Sequence, residues 1–157
     1  MVYWQHKCKG DGTMYPDREK AREVLTQGGY TCVVCHGEEI ITDDRRGVRP
    51  LLEFLEQERD WRSFCAADKV VGKAAAFLYQ LMGIRALYAQ VVSEPAVKVL
   101  ENTGIALTYD TLVPAIRNRT DTGFCPMETA VWEITKPDEA LPVLKTTLDN
   151  LTKKAGS

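Results

Sequence analysis

FCAADKVVGKAAAFLYQLMGIRALYAQVV, residues 64–92, carries the pattern that decides the fold. Phe64 to Ala67 is short and apolar and predicts a buried strand that ends at Asp68. Val70 to Met82 is apolar nearly all round, which predicts a helix covered on every side, with Gly83 as its stop. Ala86 to Val92 then reads as a further strand.

Downstream, Glu94 to Asn102 suits a helix capped by Gly104, and Ile105 to Tyr109 a strand. Asp110 is placed to cap a short helix to Ile116, followed by a polar loop from Arg117 to Gly123. Cys125 to Trp132 and Asp138 to Leu151 read as helical or mixed segments. Upstream, Asp17 to Gln27 carries Ala21, Val24 and Leu25 at amphipathic spacing and is stopped by Gly28-Gly29. Tyr30 to Cys35 and Glu38 to Thr42 flank His36-Gly37, the pattern of a β-hairpin. Pro50 pre-sets a helix through Leu55. Strands alternating with helices after an opening hairpin predict an α/β domain with a mixed, five-stranded, largely parallel sheet in three α-β-α layers. Residues 1–16 read as an N-terminal arm and 17–153 as a single domain. In such sheets ligands sit beyond the carboxyl ends of the strands.

Composition narrows the function classes. The 157 residues are 45% hydrophobic and 27% charged, which suits a globular domain and argues against disorder. A net charge of −2 disfavours a binder of nucleic-acid polymers. No run approaches the ~20 apolar residues of a membrane span, and Met1 to Asp11 has no apolar signal core, so no membrane partner and a cytoplasmic location are expected. The five cysteines fit free thiols.

Three motifs fail on inspection. Cys32-Val33-Val34-Cys35-His36 has c-type haem spacing, but on a strand its cysteines face opposite ways. Gly72-Lys73 lacks the earlier glycine and the following Ser or Thr of a P-loop, with Ala67 and Ala74 in those places. Cys32 and Cys35 are the only close pair for a structural zinc site, and His6, Cys8 and His36 could join them only by an accident of tertiary structure, so no metal and no cofactor are expected. Asp68 fits an N-cap, Lys69 and Lys73 lie one helical turn apart, and Gly72 suits close approach of a backbone or ligand. Asn118-Arg119 stands in a loop. Cys125 precedes Pro126 at a helix start, where a thiol gains reactivity, and Glu128 follows as a capping group or an acid/base.

The run Ala67 to Ala76 (ADKVVGKAAA), Asn118-Arg119 and Cys125-Pro126-Met127-Glu128, together with Arg46 to Leu52, resemble a small prokaryotic domain family of unknown function assigned the cytidine deaminase-like fold. The likeness runs from about Asp17 to Ile134. Active deaminases of that superfamily carry His (or Cys)-x-Glu and Pro-Cys-x-x-Cys to hold zinc. The corresponding places hold Gly47-Val48-Arg49-Pro50 and Ala67-Asp68-Lys69-Val70-Val71-Gly72, so the resemblance implies a metal-independent relative. Basic side chains in those places suit a nucleotide-like or other phosphorylated small molecule. Its expected contacts are Arg46, Gly47, Arg49, Asp68, Lys69, Gly72, Lys73, Asn118 and Arg119. Two other readings stand beside this one: an enzyme with Cys125 as nucleophile and Glu128 or Asp68 moving protons, or a non-catalytic interaction module. The sequence leaves homo-oligomerisation open.

Overall fold

The computed structural model describes residues 15–117, 123 and 125–156. The elements are α1 (Pro16–Gly28), β1 (Cys32–His36), β2 (Glu39–Asp43), α2 (Arg49–Glu56), β3 (Cys65–Val71), α3 (Lys73–Met82), β4 (Ala86–Ser93), α4 (Glu94–Leu100), β5 (Ala106–Val113), α5 (Pro126–Ala130) and α6 (Pro137–Gly156). The five strands form one sheet in the order β2-β1-β3-β4-β5. β1 is antiparallel to β2 and β3, whereas β3, β4 and β5 are parallel, so the expected mixed α/β sheet is present. The hairpin turn falls at Gly37, whose φ of 61° is a conformation that glycine adopts at no steric cost.

The two faces are covered unequally. On one, α1 is the helix of the described residues that covers the sheet, placing Ala21 and Leu25 over Val33, Cys35, Ala67 and Tyr88. On the other, helices α2 to α6 bury a larger core around Ala66, Leu87 and Ala89 of the sheet, with Leu51, Phe77, Leu78 and Leu144 among the helical residues. Cys32 belongs to this larger core and Cys35 to the α1 face, as strand alternation requires. Arg18 is buried, and its Nη1–H donates to the carbonyl oxygen of Ala106 at 3.0 Å, which ties α1 to the start of β5.

Two expectations require correction. β3 does not stop at Asp68 but runs to Val71, and α3 begins at Lys73, not at Val70. The β-branched pair Val70-Val71 aligns with Val91-Val92 of β4, and that pairing outweighs the local capping preference of Asp68. Likewise Asp110 caps no helix. β5 continues through it to Val113 because Thr111, Leu112 and Val113 pair with Val91, Val92 and Ser93.

Leu87 is fully buried on an interior strand. Leu87→Ala is expected to lower the unfolding free energy by ~2–5 kcal/mol through lost contact and a residual cavity. A urea titration followed by circular dichroism would check this, with an unchanged midpoint as the contrary result.

Candidate functional site

Because β3 extends to Val71, the first turn of α3 opens at Gly72, whose side has no capping group of its own. The cap comes from another element. Glu128 in α5 accepts the Lys73 N–H at 2.7 Å on Oε1 and the Ala74 N–H at 2.8 Å on Oε2. Its side chain is only 4% exposed. Burial pushes the Glu128 carboxyl up, while the two amides and the Lys73 ammonium pull it down. A carboxylate thus occupies the anion position that the helix dipole and free amides create.

Gly72 follows from this arrangement. A Cβ built there would lie 2.4 Å from the Glu128 Cδ, so only glycine admits the carboxyl group. The close approach expected at Gly72 is made by the chain's own side chain. Lys73 completes the contact: its Nζ donates to the Trp132 carbonyl oxygen at 2.6 Å, just beyond α5, and lies 5.7 Å from the Phe77 ring centroid.

Asp68 serves a different cluster. Its Oδ2 accepts from the Tyr79 hydroxyl at 2.7 Å and its Oδ1 from the Val70 N–H at 3.2 Å, while the Tyr79 oxygen lies 3.3 Å from Cys32 Sγ. Burial raises the Asp68 carboxyl to about 7, against the hydrogen bonds that favour its ionised form. Tyr79 and Cys32 are pushed well up by the same burial.

The expected anion contacts do not converge on α3. Lys69 is exposed and adjoins Asp68 on a strand, so it points to the opposite face and is not one helical turn from Lys73. Arg46 and Gly47 are exposed in the loop before α2, and Arg49 Nη2 donates to Thr152 Oγ1 of α6 at 3.0 Å. Asn118 and Arg119 lie outside the described residues. Cys125 precedes a helix of five residues and packs against the larger core. Both oxygens of Glu128 are engaged with backbone amides, and both oxygens of Asp68 have donors. Among the described residues, no three His, Cys, Asp or Glu side chains gather as a metal cluster.

A groove that sequence reasoning missed opens beside this interlock. It has a volume of about 670 Å³ between α4 and the end of β5, with Pro95, Lys98, Leu112, Pro114 and Trp132 in its walls together with Glu94 and Glu101. Trp132, 45% exposed, also borders a depression of about 490 Å³ toward Ile134. The only signal in the sequence is a lone tryptophan beyond a short helix.

These features define an α/β domain with a mixed five-stranded sheet and no described helix long and apolar enough to cross a membrane. Residues 20–148 match the family model described as TM1506, domain of unknown function (DUF1893), and the chain belongs to that family. It is similar to the crystal structure of a DUF1893 family protein, TM1506 from Thermotoga maritima, at 2.70 Å resolution. The TM-score is 0.75 at 25% identity, over 84% of this chain and 88% of that one. No curated protein matches.

The Glu128 cap implies strong coupling with residue 72. Gly72→Ala in the wild-type background is expected to cost more stability than Gly72→Ala added to Glu128→Ala, with a coupling of ~1–3 kcal/mol in a double-mutant cycle. Additive denaturation midpoints would contradict the contact. A second expectation concerns pH. An unfolded Asp titrates at about 3.9, whereas Asp68 in the fold titrates at about 7, so between these values the native state holds a proton that the unfolded chain has lost. Stability should therefore fall as pH rises from about 4 to about 7 and level off above that. Glu128 shifts in the same direction and adds to the slope. Asp68→Asn should flatten that slope in denaturation midpoints measured across the window, and an undiminished slope would refute the assignment.

Proposed function

We propose that this chain is a zinc-free, cytidine deaminase-like domain that binds a nucleotide-like small molecule, with its base on Trp132. The groove of about 670 Å³, with the half-exposed Trp132 in its wall, carries the reading. Ligand pockets typically measure ~300–1,000 Å³, and an aromatic residue in a groove wall beside polar groups suits contact with a planar ring. The position agrees with the general rule for such sheets. Leu112 is near the carboxyl end of β5, and Glu94 and Pro95 are the first two residues after the end of β4.

The sheet order, with an antiparallel β1 between the hairpin partner and the parallel strands, supports the cytidine deaminase-like assignment. The residues at the start of α3 do not fit that superfamily's zinc. Lys73 and Ala74 direct amide donors there, and Glu128 takes them as its partners. No step is therefore assigned to a metal. The same contacts move the proposed anion contact away from Lys73 and Gly72. In the groove Lys98 is the available cation of the described wall, with Glu94 and Glu101 limiting the negative charge a ligand can bring. A monophosphate suits that balance better than a triphosphate. Arg119, five residues beyond the groove-lining Pro114, keeps its place as a proposed phosphate contact, with Asn118 beside it.

Nucleoside monophosphates titrated against the full chain should quench tryptophan fluorescence. Trp132→Ala should weaken binding roughly 5- to 150-fold, the equivalent of the ~1–3 kcal/mol that one base–aromatic stack contributes. Lys98→Ala and Arg119→Ala should weaken a monophosphate more than the matching nucleoside. Absence of binding to every nucleoside monophosphate, or binding that Trp132→Ala leaves unchanged, would sink the proposal.

A further inference from the structure

Cys35 of β1 and Cys65 of β3 stand directly opposite each other in the antiparallel register. Opposed residues project from the same face, and Cys35 is buried beneath α1 with Val33, Ala67, Ala21 and Leu25. Both thiols are free and both are buried. The Lys69 N–H donates to the Thr31 carbonyl oxygen at 2.9 Å. Thr31 and Lys69 lie an even number of residues along this ladder from Cys35 and Cys65, so the cysteines also form a hydrogen-bonded pair. In such a pair the Cα atoms are about 5.5 Å apart, within the ~4.4–6.8 Å that a disulfide spans. Their Cβ atoms, at about 5.5 Å, must close to ~3.5–4.5 Å, a small shear of β1 against β3.

We propose that Cys35 and Cys65 are a redox-modification site, a dithiol that hydrogen peroxide converts into a reversible cross-strand disulfide. One thiol loses its proton and the thiolate attacks a peroxide oxygen. The O–O bond breaks, giving a sulfenic acid and a hydroxide that leaves with that proton as water. The second thiolate attacks the sulfenic sulfur, forms the S–S bond and expels hydroxide, which leaves with the second proton as another water. Two thiols and one peroxide thus become one disulfide and two waters, with sulfur oxidised and peroxide oxygen reduced.

The surroundings make the pair slow to react and its product easy to reduce. Burial and the Asp17 carboxylate raise both thiols, with Cys65 reaching about 11, against Lys20 on Cys35 and Arg18 and Arg85 on Cys65. Attack therefore follows an opening of the first turn of α1. Two exposed hydrogen bonds tie that turn to the hairpin. The Gly37 N–H donates to Asp17 Oδ1 at 3.3 Å, and Lys20 Nζ donates to the Gly37 carbonyl oxygen at 2.8 Å. The shear needed for bond formation strains the link, and strained disulfides are the labile ones.

The test is thiol mapping of the native full chain after hydrogen peroxide, with alkylation in denaturant and peptide mass spectrometry. The expected result is one Cys35–Cys65 linked peptide, lighter by two hydrogens, that glutathione reverses without unfolding the protein. Cys32, which contacts Tyr79 on the other face, should stay alkylatable. Asp17→Ala should speed formation several-fold by freeing the turn and easing thiol ionisation. Cys35 and Cys65 both alkylated after peroxide, both oxidised separately to sulfinic acids, or either joined instead to another cysteine would overturn the proposal. So would a link that glutathione cannot reduce in the native protein.

Discussion

The carboxylate of Glu128 on the first two amides of α3 is the contact on which the site's geometry depends. The start of any helix leaves amides without intrahelical partners, and α3 has no residue at its own N-cap to take them. A buried carboxylate answers both needs at once, since its charge requires donors and the helix supplies donors together with the positive end of its dipole. The contact is reciprocal. Lys73 reaches back to the Trp132 carbonyl, so a cation of α3 finishes the chain leaving α5 while an anion of α5 begins α3. A helix of five residues such as α5 has little stability of its own, and these cross-contacts hold it in place.

That interlock also fills the anion position at the start of α3. A phosphate and a buried carboxylate cannot share one pair of amides, so the first turn of α3 is closed to an external anion while Glu128 remains there. The contact also ties down the backbone at Trp132, a residue that is 45% exposed just beyond α5. The groove and the filled helix start are thus two consequences of one arrangement. The cation expected to recognise a ligand, Lys73, instead positions the aromatic surface next to it.

The sheet was legible because its signals are local and repeated. Gly83 ends α3, the hairpin surrounds His36-Gly37, and the apolar runs lie at strand or helix length. Errors arose where a local preference competed with a distant partner. Asp68 and Asp110 have the composition of helix caps, yet each lies within a strand because the valines and threonine after it pair with β4. Gly72 announced a close approach without identifying the neighbour, because Glu128 is far away in sequence and near only in the fold. Arg45 stands in the polar stretch Asp43 to Gly47, which shows no partner by local pattern. Its guanidinium in fact bridges Asp43 at 2.8 Å and Glu53 at 2.6 Å, an exposed network that organises the loop before α2.

The unequal covering of the sheet explains why the buried polar groups behave differently on its two sides. Under helices α2 to α6, the Asp68–Tyr79–Cys32 chain is enclosed by the larger core, so its members exchange hydrogen bonds among themselves and resist ionisation. Cys35 and Cys65 have similar burial, but among the described residues one helix, α1, covers them, and its first turn is tied to the hairpin through exposed hydrogen bonds. Local opening requires less free energy where few apolar contacts and many exposed hydrogen bonds hold an element. Equal burial in the closed state therefore does not mean equal protection.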